Sequence, residues 1–211
     1  MNVREALEVS RTFGFLGPGP VDDHLRHADG FAAAIALGLA CSGQSSIADT
    51  RLRCADLGTG GGVPGLPLLD GLPQSEWVFL DSSEKRMAVV HDLVDELGFS
   101  ERCTIRVGRA EELARADDLR ATFDLVVARG FAGPAVTAEC AAPLLRVGGI
   151  LIVSEPPVET DRWMPDSLAA LGLEELFRIT TPFRFFGAIA ASLCPERYPR
   201  RVGIPTKRPL F

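Results

Sequence analysis

Cys54-Ala55-Asp56-Leu57-Gly58-Thr59-Gly60-Gly61-Gly62-Val63-Pro64-Gly65-Leu66-Pro67 is the segment from which the rest of this chain can be placed. It opens as an apolar run, which suits a buried strand. Four glycines follow within five residues, and Pro64 stands where a helix can begin. Glycine allows positive φ and lets backbone approach a ligand closely. Proline is favoured at the first helical position, where its missing N–H had no intrahelical partner. Strand, glycine turn and helix start together form a nucleotide site, because free N–H groups and the positive end of the helix face the ligand.

The nucleotide is narrowed by what surrounds the turn. No Gly-Lys-Ser/Thr follows, which excludes a P-loop. Gly60, Gly62 and Gly65 fit G-x-G-x-x-G, a weak dinucleotide signal. The longer pattern acidic-x-Gly-x-Gly-x-Gly is met by Asp56, Gly58, Gly60 and Gly62. It resembles the first motif of class I S-adenosylmethionine (SAM) methyltransferases. A side chain at Gly60 is expected to occupy ligand space.

Outside this segment strands and helices alternate. Leu52–Leu57, Trp77–Leu80, Cys103–Val107, Phe123–Ala128 and Gly149–Val153 read as strands. Pro64–Leu69, Glu84–Leu97, Ala110–Ala116 and Gly133–Leu145 read as helices. The pattern predicts an α/β fold, Rossmann-like, with a mostly parallel central sheet and helices on both faces. Val3–Thr12 reads as an amphipathic helix, and a second runs through Ala40 with Asp22 or Asp23 as its cap. Cys41–Thr50 reads as a linker. Past Pro156-Pro157 the pattern blurs into a helix ending at Leu168–Leu173 and a strand pair, Leu176–Thr180 with Ala188–Leu193. The expected organisation is one domain over 1–211. Residues 1–50 form a helical cap, 51–155 the cofactor-binding core, and 156–211 complete the sheet and add a tail.

Apolar content of 46% argues against disorder. No apolar run is long enough for a bilayer span, and residues 1–5 lack a signal-peptide layout. Five cysteines without C-x-x-C suit reduced thiols, so a cytoplasmic protein is expected. Cys54 and Cys103 are placed in the core. His24 and His27, three apart on one helix, lack an evident third ligand, so no metal is expected. Cys194-Pro195 reads as a turn rather than a nucleophile. The net charge of −6 does not advertise a nucleic-acid binder, yet it is uneven. Residues 197–211 hold four Arg, one Lys and no acid, leaving −11 on the rest of the chain. A basic tail on an acidic body suits one local anionic contact or a solvated terminus.

Asp81 ends the second strand, 23 residues past Gly58. A carboxylate there suits ribose hydroxyls. The competing role is a helix cap, since Asp81-Ser82-Ser83-Glu84 resembles a capping box. Arg109-Ala110-Glu111-Glu112 and Arg129 follow the third and fourth strands, at the same sheet edge.

These motifs, taken in order, resemble a known family. Asp56-Leu57-Gly58-Thr59-Gly60, Val63-Pro64-Gly65-Leu66-Pro67, Asp81-Ser82 with Lys85-Arg86, Arg109-Ala110-Glu111-Glu112, Ala128-Arg129-Gly130-Phe131, Pro143-Leu144-Leu145 and Gly148-Gly149 precede the close Tyr198-Pro199-Arg200-Arg201-Val202-Gly203-Ile204-Pro205-Thr206-Lys207-Arg208-Pro209-Leu210. The set is similar to the bacterial small-subunit rRNA guanine-N7 methyltransferases, also called glucose-inhibited division protein B. The resemblance implies SAM as cofactor, contacted by Gly58, Gly60, Val63, Asp81, Ala110, Glu111 and Arg129. It implies small-subunit rRNA or a ribosomal particle as partner. The tail's cations, Arg200, Arg201, Lys207 and Arg208, are interleaved with prolines and are expected, beside Lys85 and Arg86, to supply phosphate contacts. This chain departs from the family at Glu155, where a Lys-Gly pair is usual, and over Thr181–Cys194. A small-molecule methyltransferase derived from the family and a non-catalytic SAM-binding protein are the rival readings.

Overall fold

The computed structural model describes residues 1–43, 51–158 and 161–211. Most of the expected linker, 44–50, lies outside them. In chain order the elements are α1 (Val3–Thr12), α2 (Val21–Cys41), β1 (Arg53–Leu57), α3 (Gly65–Gly71), β2 (Glu76–Asp81), α4 (Glu84–Glu96), β3 (Cys103–Val107), α5 (Ala110–Leu113), β4 (Phe123–Ala128), α6 (Pro134–Ala141), a 3-10 turn (Ala142–Leu144), β5 (Leu145–Ser154), α7 (Pro165–Ala169), β6 (Leu173–Ile179), β7 (Phe185–Ala190) and α8 (Ile204–Lys207).

The described strands form one seven-stranded sheet in the order β3-β2-β1-β4-β5-β7-β6. β1 pairs in parallel with β2 on one side and β4 on the other. β7 runs antiparallel to both β5 and β6. Strand order therefore reverses between β1 and β4, and ligands of such sheets bind outside the strand C-termini at that point.

Side chains alternate across each strand, so neighbours in sequence enter different cores. Cys54, Val127, Ile150 and Ile152 pack beneath α1–α4 with Phe31, Ile35, Leu66 and Phe79. Ala55, Val126, Leu151 and Val153 face the other layer with Trp163, Phe186 and Tyr198. Both faces are covered, which is why these strands read as continuous apolar runs.

Several boundaries differ from the reading above. α2 starts at Val21 behind Pro20, which gives no side-chain cap. Asp22 and Asp23 therefore sit in its first turn rather than capping it, and Asp22 receives the Arg4 fork at 2.8 and 2.9 Å. α3 begins at Gly65, one residue after Pro64. Leu171 and Leu173 do not end a helix: α7 stops at Ala169, and Leu173 opens β6. The short α7 gave no helical period to find. Among the described residues no helix is long and apolar enough to cross a membrane.

Candidate functional site

The glycine turn leaves the C-terminal end of β1 at the reversal point. Gly58 has φ +78°, and a Cβ there would lie 2.6 Å from Phe131 Cδ2. Only glycine satisfies both the backbone angle and that approach. Gly60 has φ +58°, but an added Cβ would meet only Gly58 O at 3.8 Å. Its glycine requirement within the protein is thus conformational, and the space beside it is open.

Two carboxylates hold the turn. Asp56 is fully buried, and its Oδ2 accepts the Gly65 N–H at 3.0 Å. Its Oδ1 is buried without a partner. Burial, opposed by that N–H and reinforced by Asp81, pushes its pKa from 3.8 up to about 7. Asp81 Oδ2 accepts the Gly60 N–H at 2.9 Å, and Oδ1 accepts the Ser83 N–H at 2.9 Å. Asp81 is not the helix cap: Ser83 holds that position, its hydroxyl accepting the Arg86 N–H at 3.4 Å. Each Asp81 oxygen keeps acceptor capacity for a further donor.

A cavity of about 250 Å³ opens here. Of the expected cofactor residues, Gly58, Asp81, Ala110 and Glu111 line it. Leu57, Phe131, Val136 and Cys140 give it apolar walls. Gly60 holds the turn through Asp81, and Val63 packs in the core beneath it. Arg129 lines a second cavity of about 330 Å³ beyond the ends of β4 and β5, which shares Gly130, Phe131 and Ala132 with the first. Arg129 Nη2 lies 2.8 Å from His24 Nδ1. A guanidinium only donates, so Nδ1 accepts and Nε2–H donates to Gly17 O at 3.2 Å. His24 is therefore neutral, its pKa lowered by burial and then by Arg129.

His27 lies on the same helix among aromatic rings. Its ring packs against Phe31, Phe183 and Phe185, with centroids 5.5, 4.9 and 5.4 Å away. Burial, then the charge of Arg129, lower its pKa from 6.5 to about 4. The folded chain thus resists a proton that the unfolded chain takes up below 6.5. This contribution to stability is complete above pH 6.5 and is lost as pH falls toward 4. Asp56 works the other way, holding a proton the unfolded chain releases, so its contribution fades as pH rises through about 7. The His27→Phe variant is expected to lose less stability than the wild type between pH 7 and 4 in urea unfolding. Parallel profiles would show that His27 titrates freely.

The tail was the least legible part. Tyr198 is buried against the second core, with Arg197 5.0 Å over its ring. Arg120 donates to Tyr198 O and Cys194 O at 2.9 Å each. Arg200, expected on phosphate, instead donates Nε and Nη2 to Glu139 Oε1 and Oε2 at 2.8 and 2.7 Å. Glu139 is fully buried, and a buried carboxylate demands a cation more strongly than solvent offers one. Arg201, Lys207 and Arg208 are exposed. Glu111, itself buried, accepts the Gly203 N–H at 2.9 Å, and Thr206 of α8 lines the first cavity. The tail therefore walls the site, a role its charge pattern did not signal. Phe131, Val136, Cys140 and Thr206 were missed because only tertiary packing brings them together. Burial raises the Cys194 thiol to about 12, so little thiolate forms at neutral pH.

A family model described as rRNA small subunit methyltransferase G matches residues 40–161. A protein of Deinococcus radiodurans named ribosomal RNA small subunit methyltransferase G is 37% identical over 172 residues, covering 77% of this chain and 68% of that one. This chain belongs to that family. A relative of the same name from Clostridium novyi is 35% identical over 75% of this chain and 69% of its own. This chain has the class I methyltransferase fold, as two solved structures illustrate. The antibiotic-resistance methyltransferase Kmr superposes with a TM-score of 0.56 at 18% identity, over 69% of this chain and 89% of its own. The fibrillarin pre-rRNA processing protein of Methanococcus jannaschii gives 0.54 at 15% identity, over 69% of each chain.

Proposed function

We propose that this protein transfers a methyl group from SAM to N7 of a guanine in small-subunit rRNA. The observation that carries the reading is the pair of adjoining cavities at the sheet reversal, set in a chain of this family. The first cavity fits the cofactor. Gly58 lines it, the space beside Gly60 is open, apolar walls suit a purine, and Asp81 offers free lone pairs to ribose hydroxyls. In this reading Gly58, Gly60, Val63, Asp81, Ala110, Glu111 and Arg129 hold or shape the cofactor site. Residues 51–155 carry it, 1–50 cover one side and 156–211 the other.

When bound, SAM supplies a methyl group on a sulfonium, which leaves by in-line displacement. Guanine N7 carries a lone pair and no proton, so the chain needs no general base. Alignment of the reacting atoms is the protein's task, and such alignment contributes up to roughly 7–11 kcal/mol. Gly130, Phe131 and Ala132, common to both cavities, stand where donor and acceptor would meet.

The test is methyl transfer from labelled SAM to unmethylated small-subunit particles, their naked rRNA and a panel of small molecules. One new 7-methylguanosine in the RNA is expected. Label confined to small molecules favours the metabolic rival, and SAM binding without transfer favours a binding protein. Arg201 and Lys207, unlike Arg200, are free for phosphate. Arg201→Ala with Lys207→Ala is expected to flatten the salt dependence of RNA binding by roughly 0.7–0.9 log units per lost contact. Melting and SAM affinity should not change. An unaltered salt slope would take the tail out of the RNA interface.

A further inference from the structure

The second cavity holds an ion pair that the cofactor site does not use. Glu155, directly after β5, accepts Arg162 Nη2 on Oε1 at 2.9 Å and Arg162 Nε on Oε2 at 3.3 Å. The Glu155 side chain is only 11% exposed. Around it stand Phe131, Pro134, Val153, Pro156 and Trp163, an apolar lining that suits the faces of a base. Trp163 is itself stacked on Phe186 at 4.0 Å, so this wall is rigid.

We infer that Glu155 is a specificity-determining residue that reads the N1–H and 2-amino group of an acceptor guanine in this second cavity. The inference rests on the guanine-N7 reading above and adds how the base is chosen. Enzymes that modify a base take it out of the stack and read its Watson–Crick edge against apolar walls. A carboxylate presents two oxygens with about four lone-pair sites, and Arg162 takes two of them. Among the four RNA bases only guanine offers two adjacent N–H donors on that edge. Adenine and cytosine place an acceptor beside their single amino group, facing the carboxylate with a lone pair. Uracil offers one N–H between two carbonyls. The edge also sets orientation. N7 lies on the opposite side of the purine from the 2-amino group, so a guanine held by Glu155 turns N7 away from it. The cavity that remains on that side is the one walled by Gly58 and Asp81, reached past Gly130–Ala132. Arg162 then serves to fix the carboxylate rather than to bind phosphate.

Nuclear magnetic resonance of the full ¹⁵N-labelled chain, loaded with S-adenosylhomocysteine, tests this directly. The two indole N–H signals belong to Trp77 and Trp163, and Trp163→Phe assigns them. Trp77 donates to Ser75 Oγ at 2.7 Å inside the core and serves as the internal control. Guanosine monophosphate is expected to shift the Trp163 signal and leave that of Trp77 alone. Inosine monophosphate, which lacks the 2-amino group, should bind about 10-fold more weakly, as loss of a hydrogen bond to a charged group implies. Adenosine monophosphate should bind more weakly still. Glu155→Gln places an amide donor where an acceptor is needed, and should abolish the preference for guanosine over inosine. Its S-adenosylhomocysteine affinity should stay unchanged, whatever loss of stability follows from the weakened pair with Arg162. A Trp163 signal indifferent to guanosine monophosphate, or equal guanosine and inosine binding in the wild type, overturns the assignment. So does an unaltered preference in Glu155→Gln, which would leave the ion pair structural. If particles are methylated but no guanine preference appears, this inference fails alone. If the preference appears but no rRNA is methylated, the cavity assignment stands and the proposed function fails.

Discussion

Arg200→Ala is expected to destabilise the protein by about 3–5 kcal/mol, the range for stripping one partner from a buried ion pair. The reason is Glu139 rather than Arg200. Glu139 is fully buried, and both of its oxygens are satisfied by the Arg200 side chain and by the Arg200 N–H at 2.8 Å. Removing the guanidinium leaves that carboxylate with one backbone donor in an apolar layer. Arg200 also donates to Arg208 O at 2.7 Å, so the tail loses its clasp at both ends. Because Thr206 lies between them and lines the first cavity, the cofactor site should loosen with the fold. Urea unfolding of Arg200→Ala beside Arg201→Ala gives the contrast, since Arg201 is exposed and its loss should change stability by less than about 0.5 kcal/mol. The double change Arg200→Met with Glu139→Leu should recover much of the loss, because paired apolar replacement of a buried ion pair is often neutral. Equal stabilities for the two single variants, with RNA binding lost only in Arg200→Ala, would restore Arg200 to a phosphate role.

Asp81→Ala is expected to weaken SAM binding by about 1.5–3 kcal/mol, roughly 10- to 150-fold. The variant removes the acceptor for the Gly60 N–H as well as the proposed ribose contact, so turn and ligand are affected together. Ser83→Ala separates helix capping from ligand contact in this stretch. It removes the helix cap and should cost about 1 kcal/mol of stability with SAM affinity intact. Calorimetric titration and thermal melting of both variants decide the matter. An Asp81→Ala protein that binds SAM normally would remove Asp81 from the site.

Local physics made much of the fold readable. Strands buried on both faces must be apolar nearly throughout, so β1, β2 and β4 stood out by composition. The glycine turn was readable because positive φ at Gly58, Gly60 and Gly62 restricts residue type directly. Asp81 followed from its place at a strand end, and motif resemblance supplied Ala110, Glu111 and Arg129. Helix caps and short elements were less legible. Asp22 and Asp23 carry the composition of a cap, yet Pro20 fixes the start of α2 one residue ahead of them.

Partner choice among charges was not readable at all. A row of cations in residues 197–211 states how many there are, not which one meets a buried acid. Glu139, 61 residues before Arg200, reaches it only because α6 and the tail share one face of the sheet. Arg129 likewise found His24 across 105 residues, and Glu155 found Arg162 at the rim of a second cavity. Backbone conformation and strand burial act within a few residues, so the order of residues suffices to fix them. Cavity walls and ion pairs depend on which side chains exclude water from one another, and that is settled only when the layers close.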